Sequence, residues 1–281
     1  MTKEKYKKKA AEWDKLTITS RFIFYRVMRD NEDLCLELLQ RILPELKIKG
    51  LKPLVAEKVI EETLDGHAVR LDVYVEENGE PRVYNIEMQA EDTLELRHRS
   101  RYYQSMVDSE TLDKGANYTD LPNSYVIFIC PFDLFEKGLH RYTFTYRCRE
   151  VDGLQLGEGT CRIFLNAKSM RKDVSEPLQA FLDYCMGRPV TDSFVTRLDE
   201  AVKVVKRDKE ARRRYMYLKE MVWEEGEKVR RELGGTISML ENENGELKNK
   251  NSELETENAR LRTLLAERGI EYSSNAGEES S

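Results

Sequence analysis

The chain has 281 residues, enough for one large domain or one domain with appendages; 40% are hydrophobic, which supports a folded core, and 35% are charged, which points to stretches of solvated helix. A net charge of -6 excludes a global positive field drawing in nucleic acid, so any such contact needs a local basic surface. The five cysteines, Cys35, Cys130, Cys148, Cys161 and Cys185, include no C-x-x-C pair, which argues against a zinc site or disulfide framework and for buried free thiols in a reducing compartment.

Residues 1–15, MTKEKYKKKAAEWDK, read as a charged, loosely ordered arm. It is basic with no apolar run behind it, so it is not a secretory signal. No run approaches the roughly 18 apolar residues of a spanning helix. A cytoplasmic protein is expected.

From Phe22 to Leu43 the spacing predicts helix, with Phe22, Val27, Leu34, Leu38, Leu39 and Ile42 on one broad apolar face. Asn31 and Asp33 mark a break and Pro44 a stop. Residues 68–91 predict a β-hairpin: AVRLDVYVEE alternates, NGEP supplies the turn, and RVYNIEMQAE returns. Residues 94–114 are polar and helical. SYVIFICPF, 124–132, suits a strand buried on both faces. RYTFTYRC (141–148) and CRIFLNA (161–167) predict two more strands. Residues 175–187 predict a helix with Ser175 as N-cap, Pro177 in its first turn and Gly187 at its end. The three histidines, His67, His98 and His140, show no metal-ligand spacing and read as surface residues. The pattern is a mixed α/β domain over 16–190, a charged helical region over 191–233, a coiled coil over 234–267 and a disordered tail over 268–281.

The hairpin carries the chemistry. Asn85, Glu87 and Gln89 alternate, so all three share a face of the return strand. A turn centred between Asn78 and Gly79 pairs Asp72 with Asn85; a shift of one residue pairs Asp72 with Glu87. Either register puts both carboxylates on one face, roughly 4.5 to 8 Å apart at Cβ. Two carboxylates that close repel unless a cation lies between them. Mg²⁺ takes one or two protein carboxylates, binds a phosphate oxygen and activates water. Gln89 then stands beside that water as an orienting group, since an amide does not titrate. The alternative reading of the same spacing is a solvated sheet face without function.

These segments, with RSRYYQSMVDSETLDKGANYTDLPNSYVIFICPFDLF, YTFTYRCRE, IFLNAKS and FLDYCMG, resemble the Rpn family, recombination-promoting nucleases also grouped as PD-(D/E)XK family transposases. The resemblance covers roughly residues 16–225. It implies a restriction endonuclease-like core, a mixed sheet flanked by helices, and a Mg²⁺-dependent DNA endonuclease (Mn²⁺ as an alternative ion) in a recombination, mobile-element or phage-defence setting. It implies Asp72 and Glu87 as metal ligands and Gln89 as the water-positioning residue. One departure stands out. Where the family carries an acidic residue in its first helix, this chain has Ser20 and Arg21, in TSRFIF. That departure and the acidic net charge favour a second reading, a catalytically silent nuclease-like module that binds DNA or a partner. No separate DNA-binding domain and no D-D-E spacing support the transposase label.

In LRHRSRYYQSMVD, Arg97, Arg101 and Gln104 share a helical face, and the resemblance implies that this face contacts DNA phosphates; the tyrosines read as packing on the sheet.

The tail carries a heptad repeat. Leu240, Leu247, Leu254 and Leu261 fall at d, and Ile237, Asn244, Asn251, Asn258 and Leu265 at a. In a parallel pair Glu243 meets Lys248, Lys250 meets Glu255 and Glu257 meets Arg262, all attractive. A parallel homodimer through residues 236–266 is expected. The alternative is a lone charged helix folded back on the globular domain. Gly245 at a b position weakens the helix by about 1 kcal/mol against Ala.

Overall fold

The structure is a computed structural model that describes residues 11–53, 72–269 and the backbone of 59–60 and 69–70. The first ten residues of the expected arm, His67, Leu71 and the tail from residue 270 onward lie outside the described residues. The chain divides into two compact units, the first ending at Met216 and the second beginning at Tyr217.

After a short helical stretch over residues 11–15 come two helices of the first unit, α1 (Arg21–Asp30) and α2 (Glu32–Ile42). They part at Asn31, whose backbone leaves helical geometry and whose amide donates to the Val27 carbonyl. Glu32 and Asp33 then sit in the first turn of α2, where the helix dipole favours negative charge. Residues 11–15, assigned from the sequence to a loose arm, are helical instead. Trp13 is the reason: it is buried against Phe22 and Tyr215, with ring centroids 5.9 and 5.4 Å away.

A short antiparallel pair, β1 (Val59–Ile60) and β2 (Val69–Arg70), stands apart from the main sheet. The main sheet has five strands: β3 (Val73–Glu76), β4 (Arg82–Met88), β5 (Asn123–Cys130), β6 (Arg141–Phe144) and β7 (Thr160–Asn166), in the order β3-β4-β5-β7-β6. The alternating run from residue 68 is therefore not one strand; its first part belongs to the separate pair and β3 starts only at Val73. β3 and β4 are antiparallel with Val73 opposite Ile86, and Gly79 takes a positive φ in the turn between them. β4, β5 and β7 run parallel, and β6 closes the edge antiparallel to β7. The β4-to-β5 step needs a crossover, supplied by α3 (Leu96–Thr111).

Both faces of the sheet are covered, which explains the near-continuous apolar run of β5. On one face Tyr84, Ile86, Met88, Ile127, Ile129, Ile163 and Leu165 pack with α1, α2, α4 (Glu176–Cys185) and α5 (Ser193–Arg207). On the other, Val83, Val126, Phe128 and Phe164 pack against Leu96, Tyr103, Met106 and Val107 of α3. α5 buries Phe194, Val195, Leu198, Val202 and Val205 at helical spacing, so the globular core does not end near residue 190 but takes in α5. Its N-cap, Asp192, accepts from the Val195 N–H at 3.0 Å.

His140 corrects another expectation. It is fully buried and its Nδ1 lies 2.5 Å from Asp173, while His98 is exposed. All five cysteines are free; Cys35, Cys130 and Cys185 are buried, Cys148 and Cys161 half-buried.

The last helix, α6 (Lys209–Glu267), is 59 residues long. Its Ala211 and Tyr215 belong to the core of the first unit. In the second unit Leu240, Leu247, Leu254 and Leu261 are 56, 55, 50 and 50% exposed. Among the described residues, no helix is long and apolar enough to cross a membrane.

Candidate active site

The polar stripe of β4 is not a solvated face. Asn85, Glu87 and Gln89 lie beneath α3, at 1, 0 and 4% exposure, and Asp72 is also buried. Extending the β3–β4 register by one residue places Asp72 opposite Glu87, the second of the two pairings allowed by the sequence. The Asp72 N–H donates to Glu87 Oε1 at 3.0 Å, and the Met88 N–H donates to Asp72 Oδ2 at 3.2 Å. The carboxylates thus meet at the carboxyl end of β4, where open sheets of α/β proteins carry their ligand sites.

A third charged group joins them from α1. Arg21 Nε donates to Asp72 Oδ1 at 2.9 Å and Nη2 to the same oxygen at 2.6 Å. Nη2 is also 3.6 Å from Glu87 Oε2. One cationic nitrogen therefore touches both carboxylates. Glu87 Oε2 itself is buried without a hydrogen-bond partner. Burial first, and then the Asp72 charge, push Glu87 up to about 8 against the pull of Arg21 and the Asp72 N–H. Burial likewise raises Asp72, offset by its Arg21 contacts.

Gln89 is held from α3. Its Oε1 accepts from Arg99 Nη1 at 3.2 Å, and Arg99 Nη2 donates to the Tyr103 hydroxyl at 2.8 Å. Gln89 Nε2 is left as a buried donor without a partner. Asn85, beside Glu87, has neither amide atom in hydrogen-bond geometry. Buried unsatisfied polar atoms cost about 1–3 kcal/mol each, so a stripe of them is not what packing alone selects.

The helix face expected to contact phosphates is arranged differently. Gln104 is buried and donates to Asp108 Oδ1 and Ser124 Oγ. Arg97 donates to the Leu134 carbonyl and lies over the Phe135 ring. Arg101 is exposed. From α3, Arg99 reaches Gln89 on the β4 stripe and is itself bonded to the Tyr103 hydroxyl one helical turn on. The signal for them was in the sequence: Leu96, Ser100, Tyr103 and Val107 form the buried stripe of α3, and Arg99 borders it.

Among the described residues, no cluster of three or more His, Cys, Asp or Glu side chains is placed to hold a metal ion. Two carboxylates suffice for Mg²⁺, which keeps several waters. The donors here fit such an ion: hard oxygens, one of them unpartnered, around a point already touched by a cationic nitrogen. The cation now at that point is Arg21.

A mixed five-stranded sheet flanked by helices is consistent with a PD-(D/E)XK α/β core. The family described as PD-(D/E)XK nuclease family transposase matches residues 22–232, and the chain belongs to that family. No curated protein and no solved structure matches it significantly.

Proposed function

We propose that the chain is a divalent-cation-dependent endonuclease acting on DNA, with Asp72 and Glu87 holding Mg²⁺ or Mn²⁺. Family membership supports a nuclease. The observation that carries the reading is the burial of Asp72 and Glu87 side by side, with one Glu87 oxygen left without a hydrogen bond. Such an ion, when bound, binds a phosphate oxygen and lowers the pKa of a coordinated water. The chain's residues do the rest. Asp72 and Glu87 supply the negative charge that would hold the ion. Gln89, its oxygen fixed by Arg99, presents an N–H₂ donor that orients the water or phosphate oxygen placed against it. Exposed Arg101 offers a phosphate contact at the edge of α3. The test is plasmid nicking with Mg²⁺ and with EDTA by the wild type and Glu87→Ala. Metal-dependent nicking by the wild type alone is expected; equal nicking by both proteins sinks the assignment.

The tail supports a parallel homodimer through residues 236–266. Its d-position leucines are half-exposed in the single chain, an apolar stripe that a lone helix leaves in water. Pairing would bring two nuclease domains to one duplex. A chain ending at Gly234 that stays dimeric by light scattering would exclude the tail as the pairing element.

One observation favours a second reading. Arg21 stands where the ion belongs, which suits a silent module that binds DNA without cutting it. That reading expects salt-dependent DNA binding and no nicking with either ion.

A further inference from the structure

Arg21 sits at the first position of α1, where four backbone N–H groups lack intrahelical partners and the dipole is positive. A cation is poorly placed there. No acidic residue occupies the first turn, and the Ser20 side chain makes no capping bond. What holds the guanidinium is Asp72. The Arg21 side chain is 45% exposed, whereas those of Asp72 and Glu87 are 6 and 0% exposed. Arg21 thus closes the carboxylate pair from the solvent side. Behind it lie two buried polar atoms without hydrogen bonds, Glu87 Oε2 and Gln89 Nε2.

We propose that Arg21 is a displaceable resident cation: a DNA phosphate draws its guanidinium off Asp72, and only then does the divalent ion enter between Asp72 and Glu87. The inference rests on the nuclease reading above. Charge balance supplies the reason. Two carboxylates carry at most two negative charges, and a guanidinium with a divalent ion brings three positive charges to one point. The two cations exclude each other. A phosphodiester adds the missing negative charge and is a good partner for guanidinium, which binds phosphate through two parallel N–H bonds. The half-exposed side chain can swing outward into solvent, and the α1 N-terminus from which it projects also favours an anion. Ion and DNA therefore bind with positive coupling, and the coupling is reciprocal. The site stays closed to free metal ions and opens on its substrate.

The experiment is a Mn²⁺ titration of the full chain followed by the paramagnetic resonance of free Mn²⁺, without and with a short DNA duplex. Wild type, Arg21→Gln and Arg21→Lys are compared, with Asp72→Asn as the background for ion bound to DNA alone. Without DNA, Arg21→Gln is expected to bind Mn²⁺ at least tenfold more tightly than wild type, with Arg21→Lys between them. Adding DNA is expected to tighten Mn²⁺ binding at least tenfold in wild type and much less in Arg21→Gln. If Arg21→Gln does not fold, as judged by its circular dichroism melt, Arg21→Lys carries the comparison. Equal Mn²⁺ affinity in wild type and variants without DNA overturns the displaceable cation and leaves the metal site standing. Mn²⁺ binding in every protein no greater than in Asp72→Asn, read as a free-ion signal no smaller than in that variant with DNA present, overturns both.

Discussion

Arg21 and Asp72, 51 positions apart in the chain, form a two-pronged ion pair with a closest approach of 2.6 Å, at the mouth of a buried carboxylate pair. In most folds such a pair is structural. Here it brings positive charge to the one point that also contacts Glu87. One guanidinium thus balances charge on two buried carboxylates at once.

Replacing Asp72 with Asn is expected to abolish metal-dependent nicking while the domain stays folded. Arg21 is half-exposed and regains water when its partner is neutralised. The loss of stability should therefore be about 1 kcal/mol, as for an exposed pair, not the several kcal/mol of a charge stranded in the core. Urea denaturation alongside a nicking assay checks both halves, and undiminished nicking would remove Asp72 from the site.

Arg99→Leu leaves the Gln89 oxygen without its donor and the amide free to rotate. Partners of this kind typically contribute about 10- to 100-fold. Single-turnover cleavage should slow by that order, with duplex affinity changed less. An unchanged rate would show that Gln89 is oriented by something else or not needed.

Asp192 caps α5 and pairs with Arg41. Burial opposes its ionisation, but the Val195 N–H and Arg41 outweigh it and hold the carboxyl below its usual range. A depressed folded value means that the stabilisation is complete above the unfolded value near 3.9 and disappears as pH falls through the folded one. Asp192→Ala should cost about 1 kcal/mol at pH 7. The gap between wild type and variant in thermal melts should narrow steadily below about pH 4.

Burial pushes the Cys35 thiol up to about 12 and raises Cys130 and Cys185 as well. Thiolate is the reactive form, so these three should be labelled by a maleimide at least about tenfold more slowly than half-buried Cys148 in the native protein. Peptide mapping after brief labelling distinguishes them; prompt labelling of Cys35 would contradict its burial.

In the tail, Asn251→Leu should raise the melting temperature of the 236–266 segment while relaxing its choice of register and partner number, because a buried Asn at an a position trades stability for specificity. Leu247→Asp should dissociate the pair instead, by about 2 kcal/mol or more for each leucine lost. Thermal melts read the first change, and sedimentation of the full chain reads partner number and dissociation. A monomeric wild type would leave the leucine stripe without the role assigned to it.

Much of this molecule follows from local pattern. Helical spacing located α1 and α2 because one face of each had to be buried, a cap, a proline and a terminal glycine located α4, and Asn31 broke the first run where its amide competes for a backbone carbonyl. Period-two alternation put Asn85, Glu87 and Gln89 on one face, since adjacent side chains of a strand point oppositely. The heptad is equally local. What the sequence left open depended on packing between distant segments. Whether the β4 stripe faces water or protein was settled by α3 lying over it. Which register joins Asp72 to Glu87 was settled by a turn one residue beyond the simplest choice. Arg99 reaches the stripe in place of Arg97 because the buried stripe of α3 sets its rotation. α5 looked like charged, solvated helix until its five apolar residues found the core. Arg21 could be read only as a missing carboxylate; that it supplies the opposite charge at the same place is a fact of three dimensions. Periodicity is written along the chain, whereas burial and charge pairing belong to whatever the fold brings next to each residue.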